Sequence, residues 1–196
     1  MDFYDVIEQR RTVRVFKRGI PEEQLQRILV AGAKAPSAGG RQPWEFIHIE
    51  DPEIIRQLAE VKYQLNRRIV PEAGEGGEEV ESKALDQKRW FQNATFVAIC
   101  SYSEKTLKSK NRNVKFHHDM ESVWLCIENM SLAAVAEGVG GGIISFWGKQ
   151  KEEVEKILGL PEGCRLAAMM KFGQPGKEAY SRERRPALSW LHKNRF

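Results

Sequence analysis

Apolar positions along the chain switch between helical and strand spacing often enough to divide it into segments. Phe3, Val6 and Ile7 recur at the spacing of one helix face, Asp2 stands where a cap belongs and Asp5 lies in the first turn. This predicts a short helix ending at Arg10. Thr12 to Phe16 then alternates, which predicts an extended segment with Thr12 and Arg14 on one side and Val13 and Val15 on the other. Pro21-Glu22-Glu23 opens a second helix with acids at the positive end of its dipole; Leu25, Ile28 and Leu29 face inward, and the helix stops before Pro36. Trp44 to Ile49 reads as a strand, and Pro52 to about Leu65 as a helix burying Ile54, Ile55, Leu58 and Val61. The stretch from Pro71 to Val80 is acidic and glycine-bearing, an exposed loop long enough to cover a site. Helix is expected again from Lys83 to Trp90, and Thr95 to Cys100 is a short run of β-formers, hence a buried strand.

Asp119 to Glu137 carries the strongest helical signal, apolar nearly all round through Val123, Trp124, Leu125, Ile127, Met130, Leu132, Ala133 and Val135. Such a helix has to be buried on all sides, either in a monomer's core or at the centre of a dimer where Ser131, Ala134 and Gly138 allow close approach. Gly138-Val139-Gly140-Gly141-Gly142 does not make a dinucleotide fingerprint, because a helix precedes the glycines and Ile143-Ile144 reads as strand after them. Gly138 is expected to stop the helix. Lys149 to Leu158 is an amphipathic helix closed by Gly159 and Pro161, and Arg165 to Phe172 is a strand running into Gly173-Gln174-Pro175.

With 196 residues, 41% apolar and 30% charged, the chain suits one domain, or one that completes its core by pairing with a copy of itself. No stretch is apolar for long enough to span a membrane, and Met1-Asp2-Phe3-Tyr4-Asp5 lacks the features of a secretory signal, so a cytoplasmic protein is expected. Cys100, Cys126 and Cys164 are too widely spaced for a zinc or redox motif and read as buried thiols. The four histidines are equally scattered, and no metal site is expected.

The net charge of +4 and pI near 9.0 say less than the placement of the charges. Arg10-Arg11-Thr12-Val13-Arg14 puts three planar guanidinium forks and a hydroxyl within five residues, a donor set that matches phosphate; a solvated basic turn is the ordinary alternative. Arg182-Glu183-Arg184-Arg185-Pro186 repeats the pattern near the other end. Nucleic acid is a competing partner for such clusters, although no nucleic-acid motif accompanies them. Between them Pro36-Ser37-Ala38-Gly39-Gly40-Arg41-Gln42-Pro43-Trp44 supplies small residues that let backbone lie against a flat ligand, with Ser37 and Gln42 as polar side chains.

The order R-R-T-x-R-x-F, then A-P-S-x-x-x-x-Q-P-W, a glycine turn after an apolar helix, G-x-P and R-x-R-x-P resembles the FMN-dependent nitroreductase family from about Phe3 to Trp190, apart from residues 64–87. The resemblance implies an α+β fold: a mainly antiparallel sheet surrounded by helices, one long buried central helix, and an intertwined homodimer, with the whole chain as one FMN-binding domain and 64–87 as a variable lid. It implies FMN contacts from Arg10, Arg11, Thr12, Arg14, Pro36, Ser37, Gln42, the Ile144-Ser145-Phe146 backbone near the flavin N5, Arg182 and Arg184. No protein side chain is expected to act as acid or base, because the flavin carries the hydride. The implied activity is NAD(P)H-dependent reduction of a nitroaromatic, a quinone or a related acceptor by a ping-pong mechanism. The alternatives are a specialised reductase of a halogenated aromatic or enone, and a non-enzymatic flavin or nucleic-acid binding protein.

Overall fold

Strand β5 (Arg165–Pro175) runs through the middle of the molecule and is paired along both edges. On one edge it meets β3 (Thr95–Ser101), which in turn meets β2 (Trp44–Ile49); on the other it meets β4 (Gly140–Ile144) and, past the end of β4, β1 (Phe16–Arg18). All four pairings are antiparallel. The computed structural model describes residues 1–69, 77–176, 183–186 and 188–195. Among them the helices are α1 (Phe3–Gln9), α2 (Glu22–Gly32), α3 (Pro52–Ile69), α4 (Gly77–Lys88), α5 (Glu104–Leu107), α6 (Arg112–Ala136) and α7 (Gly148–Ile157).

β3 and β5 are apolar on both faces because helices cover both, so the sheet is the middle layer of three. Val97, Ile99, Met170 and Phe172 point toward α2 and α6, meeting Leu25, Ile28, Val123, Ile127 and Met130. Phe96, Ala98, Cys100 and Met169 point the other way, toward Leu58 and Val61 of α3 and Val154 of α7. The three cysteines are buried free thiols. No helix is long and apolar enough to cross a membrane among the described residues.

The expected α+β architecture and the strands from Trp44, Thr95 and Arg165 are present, and Gly138 ends α6 with φ of 73°. Several expectations need correction. α6 begins at Arg112, a turn and a half or more ahead of its apolar run. Of the two expected settings, a monomer's core alone does not bury it all round, since Trp124 is 41% and Leu125 50% exposed in the single chain. On α1 the reciprocal caps of Asp2 and Asp5 form as the sequence suggests, yet of the apolar stripe only Val6 is buried, while Phe3 and Ile7 face outward. Val15 is exposed rather than paired with Val13, because the regular strand begins only at Phe16. α3 runs on to Ile69, and helix resumes at Gly77 where a loop was expected; residues 71–76 of that expected loop lie outside the described residues.

The segment before β1 docks on the free edge of β4. Val13 N–H donates to the Gly141 carbonyl at 2.9 Å, and Thr12 forms a parallel bridge with Gly141. A Cβ at Gly142 would stand 2.3 Å from the Val13 oxygen and 3.0 Å from Lys171 Cε, whereas one at Gly141 would meet nothing closer than 3.6 Å. Gly142→Ala is therefore expected to destabilise the fold by about 1–3 kcal/mol and Gly141→Ala by no more than about 0.5 kcal/mol, read as shifts in urea midpoint.

Candidate functional site

Three arginines and a threonine follow α1, and their neighbours separate their tasks. Arg11 turns back on its own helix, donating to the carbonyls of Glu8 and Arg10, where a cation complements the dipole. Arg10 reaches α6, its Nε 3.7 Å from Glu128. Thr12 is exposed beside β4, and the exposed Arg14 lays its guanidinium 5.6 Å from the Trp90 ring centroid. Extended chain separates residues 10 and 14 by roughly 13 Å, so the two arginines are drawn to different neighbours, Glu128 and Trp90.

Behind Arg14 lies a residue that the sequence reading passed over. Lys171 projects from β5 into the α3 side of the sheet, is 1% exposed, and donates to the Arg14 carbonyl at 2.8 Å and the Trp90 carbonyl at 3.3 Å. Its ammonium lies 5.0 Å from the Trp90 ring and 5.5 Å from that of Phe16. Burial, helped by the charge of Arg14, pulls its pKa down to about 7. Lys62 of α3 is a second buried ammonium, donating to the Ser145 carbonyl at 2.9 Å, with a pKa lowered by burial to about 8. Among the described residues no carboxylate lies within ion-pair distance of either lysine. Both were legible: Lys171 is the one charge in the run from Leu166 to Pro175, and Lys62 lies between Leu58 and Leu65 on the buried stripe of its helix.

The loop after α2 is organised around Ser37 and Arg41. Ser37 Oγ accepts from the Gln42 N–H at 3.0 Å, and Ser122 of α6 accepts from the Ala38 N–H at 3.1 Å. Gly39, Gly40 and Gln42 all have positive φ, and the space a Cβ at Gly40 would enter is open. Pro36, Gly39, Gly40 and Gln42 are exposed, which leaves their backbone free to meet a flat ligand. Arg41 points inward instead: its Nε donates to Asp119 Oδ1 at 2.6 Å, Thr106 donates to the other oxygen, and Arg41 Nη2 is buried with no partner. A cleft of about 600 Å³ between Thr106, Arg112, Phe116 and Arg165 adjoins this network but contains none of the expected site residues.

The expected residues therefore fall into two groups within one chain. Thr12, Arg14 and the Ile144-Ser145-Phe146 segment gather along β4 and the lysines that brace it. Pro36, Ser37 and Gln42 sit near Asp119 and Ser122, about 14 Å along α6 from the Glu128 that Arg10 meets. Arg184 is exposed with no partner among the described residues, and Arg182 lies outside them.

The sequence profile of the Nitroreductase family matches residues 7–174. A protein named iodotyrosine deiodinase from Thermotoga neapolitana is 28% identical over 88% of this chain and 88% of its own. Nitroreductase A from Vibrio parahaemolyticus superposes with a TM-score of 0.79 at 22% identity, covering all of this chain and 78% of that one. NADPH:FMN oxidoreductase from Vibrio harveyi, solved with NAD+, gives 0.77 at 22% identity over 99% of this chain and 77% of that one. The last two establish a shared fold.

Removing one partner of the buried Arg41–Asp119 pair strands the other charge. Asp119→Ala is expected to cost about 3–5 kcal/mol in chemical denaturation, and the double replacement Arg41→Met with Asp119→Leu to recover most of that.

Proposed function

The chain belongs to the nitroreductase family, and from that premise we propose that it binds FMN and uses NAD(P)H to reduce a nitroaromatic, a quinone or a related electrophilic acceptor. The donor set supports the cofactor. Arg10, half-buried against α6, and Thr12, exposed at the outer edge of β4, suit a terminal phosphate, joined by Arg184 and Arg182 of the tail. Arg14, with Lys171 beneath it and Trp90 beside it, offers a cationic surface suited to the ring. The open glycine backbone of the Ser37–Gln42 loop suits close approach to ribityl or ring.

In this reading the two groups come from different copies of the chain. The outward faces of α1 and α6 adjoin each other and carry Phe3, Tyr4, Ile7, Trp124 and Leu125, an apolar band of the kind that marks an interface. A second copy placed there brings its own Ser37–Gln42 loop toward the first copy's arginines. Leu188, Trp190 and Leu191, exposed on the tail, suit the same partner.

FMN, when bound, takes a hydride from the nicotinamide and passes the electrons to the acceptor. The protein's part is to orient and to shield. Among the described residues the glycine run after α6 leads into strand β4 and not into a helix, so it offers no second nucleotide unit. NAD(P)H and acceptor then use one cleft in turn. The observation that carries the reading is the alignment of Thr12 and Arg14 along β4, which continues into the Ile144–Phe146 segment. A halogenated aromatic is a second candidate acceptor, supported by the relative named as a deiodinase.

The purified protein is expected to be yellow with about one FMN per chain, to lose its visible flavin absorbance on anaerobic NAD(P)H alone, and to give parallel double-reciprocal plots across an acceptor panel that includes halophenols. Intersecting lines, or reduction that waits for the acceptor, would overturn the shared cleft. Arg10→Ala is expected to weaken FMN about ten- to a hundredfold through loss of a charge-assisted bond of roughly 1.5–3 kcal/mol, while riboflavin affinity stays level. Lysine at position 10 should restore only part of the loss, since it lacks the bidentate fork. Titration of apoprotein variants checks this.

A further inference from the structure

Lys62 occupies a place where leucine would be expected to cost less. It lies on the buried stripe of α3, four residues after Leu58 and three before Leu65, and is 5% exposed. Its ammonium gives up most of its hydration, donates one hydrogen bond to the Ser145 carbonyl, and lies over the faces of Trp147 at 4.9 Å and Phe146 at 5.6 Å. No carboxylate of a described residue neutralises it. Burial lowers its pKa to about 8, so it is still largely charged at neutral pH. An unpaired buried charge of this kind is retained where its field is used.

The carbonyl it holds belongs to the peptide joining Ser145 to Phe146. That peptide is trans, so its N–H points opposite to its carbonyl. With the Ser145 oxygen fixed on the α3 side, the Phe146 N–H is aimed away from α3. The cation also polarises the amide through its oxygen, making the N–H a stronger donor. Gly142 of β4, three residues before Ser145, packs against the methylene stem of Lys171, whose ammonium holds the Arg14 carbonyl, so the two buried lysines flank the chain that leads into the Ser145–Phe146 peptide.

We propose that Lys62 is a positioning residue for the flavin ring: it fixes and polarises the Ser145–Phe146 peptide so that the Phe146 N–H serves as a ring donor, and its charge favours the electron-rich, reduced ring over the oxidised one. This rests on the FMN reading given above. A mere structural staple would support both oxidation states equally.

The test is the midpoint potential and the oxidised-FMN dissociation constant of the holoprotein and of Lys62→Met, Lys62→Gln and Lys62→Arg, measured by dye equilibration and apoprotein titration. In Lys62→Met the preference for the reduced ring is expected to fall about tenfold, equivalent to about 30 mV for a two-electron couple, with oxidised FMN binding little changed. Lys62→Arg, which keeps the charge, should return toward the original potential. Lys62→Gln keeps a donor for the carbonyl without the charge, should show the same drop, and decides the matter if the methionine variant does not fold. Potentials that stay level in the uncharged variants, or a loss of affinity equal for both oxidation states, would overturn the proposal. Absence of FMN from the unaltered protein would instead overturn the cofactor reading and this one with it.

Discussion

A strand edge can accept a neighbour only if backbone can come close to backbone, and at β4 that condition is met by three successive glycines. Val13 stacks its side chain on Gly140, its amide bonds to Gly141, and its carbonyl passes over Gly142. Because the contact is made by backbone, it fixes register as well as proximity: Thr12 is held opposite Gly141, and Arg14 two residues further along. Lys171 then secures the Arg14 carbonyl from beneath. The placement of Thr12 and Arg14 follows from that docking. A side chain at Gly142 would displace the arginine segment before it touched any ligand.

The loop around Gln42 is anchored by a different kind of force. Arg41 turns into the protein and meets Asp119, a pair left only 12% and 2% exposed. Buried pairs of this kind repay their desolvation poorly, and here one guanidinium nitrogen is left without a partner. What the pair provides is direction. With Arg41 tied to α6 and Ser37 bonded across the turn to Gln42, the loop presents backbone and the Gln42 side chain outward while its one charge is turned inward.

The regular parts of the fold were legible because burial and periodicity agree there. β2 is bounded as its β-branched and aromatic residues suggest, and Gly138 and Gly159 end their helices in left-handed backbone. The discrepancies have specific causes. Residues 112–118 of α6 are mostly polar and exposed, so hydrogen bonding extends the helix where no apolar pattern announces it. Trp124 and Leu125 were expected inside because periodicity cannot tell the core of one chain from a surface that needs a second. The motif residues were found as a set, but sequence order did not reveal that Arg11 would cap its own helix or that the Ser37 loop would lie along α6 away from Thr12. Lys62 and Lys171 were missed for a simpler reason: counted among the basic residues, they dissolve into the total, and only their apolar neighbours distinguish them.

The docking of the N-terminal segment also orders events in the life of a newly made chain. Its partners are Gly141 on β4 and, for β1, Gln174 and Pro175 at the end of β5, so the segment has to wait for residues made well over a hundred positions later. At a synthesis rate of about 5–20 residues per second the delay is on the order of ten seconds. During that interval α1 has no finished surface beneath it and the arginines have no strand to align on. The nascent protein thus emerges with a cationic segment and an amphipathic helix unsheltered, and the arginine segment takes its place only after residue 175 has been made.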